Sequence, residues 1–578
     1  MKKFISVCLC AFVALFSGCS DPARTEFDEL VKAVPPSSAA FASMFVPKSY
    51  PQKILAAPGC DKALDALKNN PVLNEKLRLA IEQFSKESPL VAEAFSNKEK
   101  PMEDVVAFLS KTEACGVVAF TDSFPIVGEK ISIPWTVALS GRLVGITKTY
   151  LKYFPEEDKI SVDGRTFFRV KLGENAHAEE TEFFIADSGN YITIASSTER
   201  VVEFENAVKN PMKRCILDDP AFRRLQKGYE NADFSAFVNF DRISGLRELN
   251  PDGEFKKMLA KHSEGFGYFA SVCKYPGRGE GVARLSFNQP IYLLDFVKSA
   301  TMRKLDTLKN SLPGSEYAIG LCVPAPTTET FINARTLREK EVPAEAVELL
   351  KKLDLQTVYF SVFDCMKFKT LFSGESLPEM FAKIDCGNSD ALKDAEENLS
   401  EVPFIQKSKI GETEVFSLNG MLNFARLGKK TIYASSCSDS AAALDLANGR
   451  GKSLADEKTF SSIAKKLGRG NVFEIFIDSK RLNEGYADLL CEVIKESPLF
   501  ADDSADDENA ALPEGFSRKD CVESYAQFLQ RLYAATKKNA VGAALKLDDE
   551  DKTMLSLVFA MESEYDFAVL AEKISEIK

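Results

Sequence analysis

Apolar and polar residues alternate with a period of two over several stretches of the chain. Tyr191-Ile192-Thr193-Ile194-Ala195 and Lys430-Thr431-Ile432-Tyr433-Ala434 read as half-buried strands. Gly267–Val272 and Val282–Phe287 flank a Pro276/Gly277 turn, while Val541–Leu545 and Met554–Phe559 flank the acidic turn Asp548–Asp551, so each pair predicts a hairpin. Over Thr198–Asn210 the period lengthens toward that of a helix. Val201, Val202, Phe204 and Val208 form its apolar stripe, with Ser197 or Thr198 as the cap. Its counterpart Ser438–Asn448 is rich in Ala and Leu, and shorter helices fit Ala221–Tyr229 and Phe460–Leu467. Hairpins interspersed with helices predict an α+β fold of antiparallel sheets with helices packed on one face.

Several of these elements occur twice in the same order. Gly164–Val170 resembles Gly411–Ser417 in its leading glycine and following strand, and Tyr191–Ser197 resembles Lys430–Ser436, each running into Ala-Ser-Ser. Asp219–Leu225 then matches Glu457–Ile463, and Phe237–Ile243 matches Phe476–Leu482. The last three pairs are offset by about 239 residues and the first by 247, as expected if a hairpin around Glu174–Glu182 is longer in the first copy. A weaker pair, Val34–Ala40 with Ser311–Tyr317, has a larger offset. The expectation is two homologous mixed α+β halves, 31–300 and 301–578. The acidic run Asp502–Asn509 forms an exposed loop near 500–512 in the second half, because it has too little apolar content to pack.

The N-terminus has a different pattern. Met1-Lys2-Lys3 is basic, Phe4–Phe16 is apolar but for Ser6, and Ser17-Gly18-Cys19-Ser20-Asp21 follows. A basic start, a short apolar core and small residues before a cut are the signature of a secretory signal peptide. The core is shorter than the roughly 20 residues a spanning helix needs. Leu15-Phe16-Ser17-Gly18-Cys19 resembles the lipobox of bacterial lipoproteins, although Phe16 stands where that family usually has an aliphatic residue. The resemblance implies diacylglycerol on the Cys19 thiol, cleavage at Gly18–Cys19 and acylation of the new amino group. It therefore implies a signal peptide over 1–18, a short tether over 19–30 and a mature chain in the bacterial envelope, facing the periplasm or cell surface. Ser20, rather than Asp, after the cysteine favours sorting to the outer membrane in lipoproteins of the enterobacterial type.

Composition narrows the remaining functions. The formal net charge is -12, which opposes nucleic-acid binding and a polybasic grip on anionic lipid. Forty-three Phe against a single Trp point to cores packed by phenylalanine. Ten cysteines follow Cys19, with no C-x-x-C pair among them, so neither a thioredoxin-like redox site nor a common zinc knuckle is indicated. Disulfides and buried thiols both remain open for them.

The candidate catalytic motifs lack the partners their chemistry needs. His177 and His262 lack metal-ligand or triad spacing and read as surface residues. Ser462-Ile463-Ala464-Lys465 matches the Ser-x-x-Lys element of penicillin-binding proteins and serine β-lactamases. However, no Lys-Thr-Gly is present, and the repeat sets Ser462 opposite Arg224. Gly277-Arg278-Gly279-Glu280-Gly281 lies between two strands and reads as a hairpin loop rather than a phosphate loop. Asp502–Glu508 lacks the glycine and final glutamate of an EF-hand loop. No catalytic, cofactor or metal residue is assigned, and Cys19 is the one residue given a chemical role. The functional expectation is a non-enzymatic binding or structural scaffold held to a membrane by lipid, with an envelope protein or extracytoplasmic ligand as partner. The alternative is an exported hydrolase using Asp/Glu or Ser/Lys chemistry.

Overall fold

Most of the alternating stretches are strands, and nearly all of these join one ladder. The computed structural model describes residues 22–87, 99–110, 113–125, 133–172, 181–211, 213–230, 232–244, 266–274, 279–287, 294, 297–298, 300, 305–323, 352–363, 379–400, 404–418, 420–437, 439–482, 530–531, 533–548 and 551–577. In the first half the strands are β1 (Ala40–Val46), β2 (Cys115–Thr121), β3 (Phe124–Pro125), β4 (Trp135–Gly141), β5 (Lys159–Val162), β6 (Arg165–Leu172), β7 (Thr181–Asp187), β8 (Tyr191–Ala195), β9 (Phe234–Asn239), β10 (Ile243–Ser244), β11 (Phe266–Lys274) and β12 (Glu280–Phe287). The second half has β13 (Tyr317–Cys322), β14 (Leu355–Phe363), β15 (Glu379–Cys386), β16 (Ile405–Ile410), β17 (Thr413–Leu418), β18 (Leu422–Leu427), β19 (Thr431–Ser435), β20 (Phe473–Asp478), β21 (Thr536–Leu547) and β22 (Met554–Tyr565).

Following the pairings gives the spatial order β5-β6-β7-β8-β4-β2-β1-β9-β11-β12-β22-β21-β20-β13-β14-β15-β19-β18-β17-β16, antiparallel throughout. Among the described residues β5 and β16 each pair on one side only, so the ladder has two free ends. Exposed Lys407 and Lys409 on β16 disfavour addition of a further strand there. Strands β3 and β10 form a separate parallel pair.

Read from the middle outward, the two halves repeat strand for strand. They meet where β12 pairs with β22, and Val282 lies opposite Val558. A pseudo-twofold axis perpendicular to the sheet passes through that pair, because Glu280↔Ala560 and Arg284↔Ser556 exchange under the equivalence of the copies. Such an axis keeps equivalent helices of the two halves on the same face of the sheet.

The first helix is α1 (Pro22–Lys32), and between β1 and β2 lie α2 (Ser49–Leu55), α3 (Cys60–Asn69), α4 (Pro71–Glu87) and α5 (Pro101–Ser110). They are followed by α6 (Arg142–Lys152), α7 (Thr198–Lys209), α8 (Pro220–Gln226), α9 (Ser389–Ser400), α10 (Ser440–Ala447), α11 (Lys458–Leu467) and α12 (Phe567–Ser575). Helices cover both faces rather than the one expected: α1 and α7 pack on Val118 and Ala138, and α10 on Tyr433, whereas α6 packs on the oppositely facing Val117 and Leu139, and α9 on Ile384 and Ile432. Ser197 caps α7, its hydroxyl accepting from the Arg200 N–H, and Val201 and Phe204 are buried as the stripe requires.

Phenylalanine dominates the first of the two main cores, while the second is mostly aliphatic. Phe41, Phe222 and Phe237 pack edge to face in the first, and Phe460 and Phe476 occupy equivalent places in the second. The cores also trade a residue each: Met554 of the second half packs in the first core and Val282 of the first half in the second. α12 packs against α3, and the buried Asn70 side chain donates to the Ile574 carbonyl at 2.9 Å. The halves 31–300 and 301–578 thus share one sheet and interpenetrate at the centre.

Backbone hydrogen bonds fix the internal alignment. Ile216 N–H donates to Val34 and Leu454 N–H to Ser311, at 3.0 and 2.8 Å. Buried Ser38 and Ser315 each donate their hydroxyl three residues back, to Pro35 and Leu312. Val34–Ala40 and Ser311–Tyr317 are therefore equivalent, the weakest sequence pair being in register. The pairs starting at Asp219/Glu457 and Phe237/Phe476 are in register too. Asp219 and Glu457 start α8 and α11, and each is met by the equivalent arginine, Arg242 at 2.5 Å and Arg481 at 3.5 Å.

Two other sequence pairs are one residue out. Ser196, not Ser197, corresponds to Ser436: both donate N–H to the start of the neighbouring strand, at Trp135 and Met380. In the β5–β6 turn Asp163 and Gly164 both have positive φ, 49° and 76°, whereas in β16–β17 the glycine comes first, Gly411 at 61°. The turns have equal length but place glycine differently, so aligning the glycines slips the strand. The β6–β7 connection is longer in the first copy, as expected: Phe168 pairs with Ile185, whereas Phe416 pairs with Phe424.

One boundary differs from expectation. Residues 22–30, read as part of a tether over 19–30, lie in α1. Phe27, Leu30 and Val31 fall on one helical stripe and are buried in the first core, so this segment packs rather than dangles.

Candidate functional site

Cys19 and the signal peptide lie outside the described residues, as do His177, His262 and the acidic loop at 502–509. The Gly277–Gly281 loop lies partly outside, but the strands it joins, β11 and β12, pair directly, which is hairpin geometry rather than strand–loop–helix. The Ser462 hydroxyl donates to the buried Glu562 carboxylate, and the Lys465 side chain, one turn along α11, is exposed. Arg224, opposite Ser462 in the repeat, donates to Ser286, the residue equivalent to Glu562, so this contact is a repeated packing device. Six described cysteines, Cys60, Cys115, Cys215, Cys322, Cys386 and Cys437, are buried thiols. Burial pushes Cys115 and Cys386 up to about 11, which keeps them protonated and unreactive at neutral pH. Among the described residues no group of His, Cys, Asp and Glu side chains is arranged to hold a metal ion.

A described cavity lies in the outer part of the first half. It is an open depression of about 580 Å³ lined by Leu151, Lys159, Arg165, Thr166, Phe168, Ala186 and Asp187. Leu151, Phe168 and Ala186 give it an apolar floor, while Lys159, Arg165 and Asp187 supply charge. Arg165 starts β6 just past the Asp163-Gly164 turn and reaches under the sheet to Glu205 of α7, with which it forms an ion pair. Glu205 is 1% exposed. Its other oxygen accepts from the Ser188 hydroxyl at 2.5 Å. Burial, and then the Glu205 charge, push nearby Tyr191 up to about 12, so its hydroxyl stays neutral. On the opposite rim Lys148 pairs with Asp187 at 3.0 Å. Charged groups around an apolar floor are the features of a surface that could hold a ligand.

The second half lacks this constellation. Thr413 stands at the position of Arg165, Glu414 at Thr166 and Arg426 at Asp187, while Ala447 occupies the position of Glu205. Arg426 turns instead to Glu396 of α9 at 2.5 Å. Both members of the buried pair differ together, as expected for a charge that is buried only when its partner is present. Arg165 and Glu205 had no motif to mark them. The available signal was Glu205 itself, four residues after Val201 on the apolar stripe of a helix, where a carboxylate demands a partner.

Asp478 stands where the first half has Asn239. Each accepts, through its side chain, the N–H two residues later. Burial raises the Asp478 carboxyl above its ordinary value, against the pull of the Arg481 N–H and guanidinium. A raised folded-state value favours the protonated form. That contribution is full below the unfolded aspartate value, about 3.9, and is lost as pH rises through the folded value. Asp478→Asn should therefore fall less in stability than wild type as pH is raised from about 4. Urea midpoints across that range that track each other would count against it.

No family model matches the chain, and no curated protein matches it. Among solved structures, one titled "Structure of crystal form I of TP0453" aligns over 47% of this chain and 97% of its own, with 9% identity and a TM-score of 0.21. A likeness that loose carries no argument about fold or function.

Proposed function

We propose that the chain is an envelope lipoprotein, anchored to a membrane through lipid on Cys19, that serves as a non-enzymatic binding or structural scaffold. The observation that carries this reading is the setting of Cys19. It follows a basic start, a short apolar core and Ser17-Gly18, and it stands three residues ahead of the first packed helix. Among the described residues no helix is long and apolar enough to cross a membrane. Two or three acyl chains on one cysteine make a stable attachment, whereas a single chain is marginal. The scaffold part of the proposal is supported by the depression at Arg165, whose lining suits recognition, and by the pseudo-twofold sheet, which offers a partner two related surfaces. The rival, an exported hydrolase, would draw on Ser462 with Lys465 or on paired carboxylates, and Ser462 is committed to Glu562.

Radiolabelled palmitate tests the anchor. Wild type expressed in a bacterium should incorporate label and sediment with membranes, whereas Cys19→Ala should lose the label and appear in the soluble exported fraction. Equal labelling of the two proteins would sink the proposal.

A further inference from the structure

Resting on the Cys19 anchor, the packing of α1 goes further and gives the molecule an orientation. α1 runs antiparallel to β1. Its first turn lies over the Val46 end of that strand, where the Arg24 guanidinium sits 4.9 Å from the centre of the Phe45 ring and the Phe27 ring 5.1 Å from it. Its far end lies by the start of β1, where Val34 accepts from Ile216. Three residue steps separate Cys19 from Pro22, a reach of about 11 Å even when fully extended. A lipid on Cys19 therefore holds the Val46 end of the sheet at the membrane.

α2 occupies that same end. It begins three residues after Val46, and its Tyr50 hydroxyl donates to Asp233, the residue immediately before β9. Pro51 is its buried contact, while Gln52, Lys53 and Ile54 are turned outward, with Ile54 45% exposed. Lys48 precedes the helix. Apolar and cationic side chains side by side suit the headgroup boundary of a bilayer.

We propose that the surface formed by α2 and the Val46 end of the sheet is a membrane-contact face, with Ile54 and Lys53 at the bilayer. The partner is a lipid surface, fixed by how little chain separates Cys19 from α1. The opposite strand ends, carrying Thr121 and Trp135, then point away from the membrane, about 20 Å farther along β2 and β4.

The chain contains a built-in control, because Trp135 is its single tryptophan. Two proteins are compared, wild type and Ile54→Trp combined with Trp135→Phe, each reconstituted as acylated full-length product into vesicles carrying a nitroxide-labelled headgroup lipid. A parallel arm couples unacylated mature chain through Cys19 to a maleimide-bearing lipid in the same vesicles. The indole introduced at position 54 should lose roughly half its emission and shift to the blue, with Trp135 little changed. Vesicle-bound protein in which Trp135 is quenched as strongly as position 54, or in which neither is quenched, would overturn the orientation and leave the anchor reading standing. If the expressed protein fails to join vesicles while the coupled protein does and shows quenching at 54, the acylation reading falls and the orientation holds.

Discussion

Truncating Phe237 to alanine should cost about 3–5 kcal/mol, the range seen when a fully buried aromatic ring is removed from a core that cannot collapse around the gap. Phe237 is wholly buried at the centre of β9. Its ring meets Phe222 at 5.5 Å and 82°, and Phe222 in turn meets Phe41 at 5.6 Å and 87°. The loss therefore removes one end of an edge-to-face chain that ties α8 to β1 and β9. Phe476 holds the same place in the second core, and Phe476→Ala should cost a similar amount. The shared sheet adds a further expectation. With β12 paired to β22 and each core holding a residue of the other half, both truncations should move the same urea transition. Phe404→Ala supplies the baseline, since that ring is 64% exposed and its loss should fall within about 0.5 kcal/mol of neutral. A Phe237→Ala midpoint no lower than that of Phe404→Ala would refute the placement of the core. Two separate transitions, each sensitive to one truncation, would refute the coupling of the halves.

The Arg165–Glu205 pair predicts non-additive losses. Arg165→Thr leaves a carboxylate that is 1% exposed with Ser188 as its remaining partner, and should cost about 3 kcal/mol. Glu205→Ala should cost less, because the Arg165 side chain is 35% exposed and its freed guanidinium can hydrate. The double variant recreates the Thr413/Ala447 combination of the second half and should be better tolerated than the sum of the two, with a coupling of about 1–3 kcal/mol. Denaturant unfolding of the four proteins closes the cycle. Strict additivity would mean that Arg165 and Glu205 do not form a matched pair. The same variants report on the depression that Arg165 lines, because a ligand held there should lose affinity in Arg165→Thr even where stability is restored by Glu205→Ala.

Much of the architecture was legible because it depends on local periodicity. The strands at 191–195 and 431–435, the paired strands of the β11–β12 and β21–β22 hairpins, and the capped helix at 198–209 all follow from alternation, turn chemistry or a helical stripe. The repeat was legible in order but not everywhere in register. Gly164 and Gly411 attract each other in any alignment, yet they occupy different positions of two-residue turns, and a one-residue slip in a strand exchanges its faces. The reading of 19–30 as a tether failed for a related reason. Phe27, Leu30 and Val31 make a stripe too short to stand out in sequence, and burial against β2 and β4 is what makes it a helix worth packing.

By itself the sequence determined the α+β class and the duplication, because each is written in neighbouring residues or in a repeated order of them. Only the tertiary structure decided that the two copies share one antiparallel ladder about the Val282–Val558 pair. It alone set Ser462 against Glu562, and joined Arg165 to Glu205 across 40 residues. It also turned the first packed helix so that its start lies over Phe45, at the end of the sheet where α2 begins. These outcomes depend on which strand edges pair and which buried charges meet. Both are long-range choices made by packing and desolvation, which leave little trace in the spacing of residues along the chain.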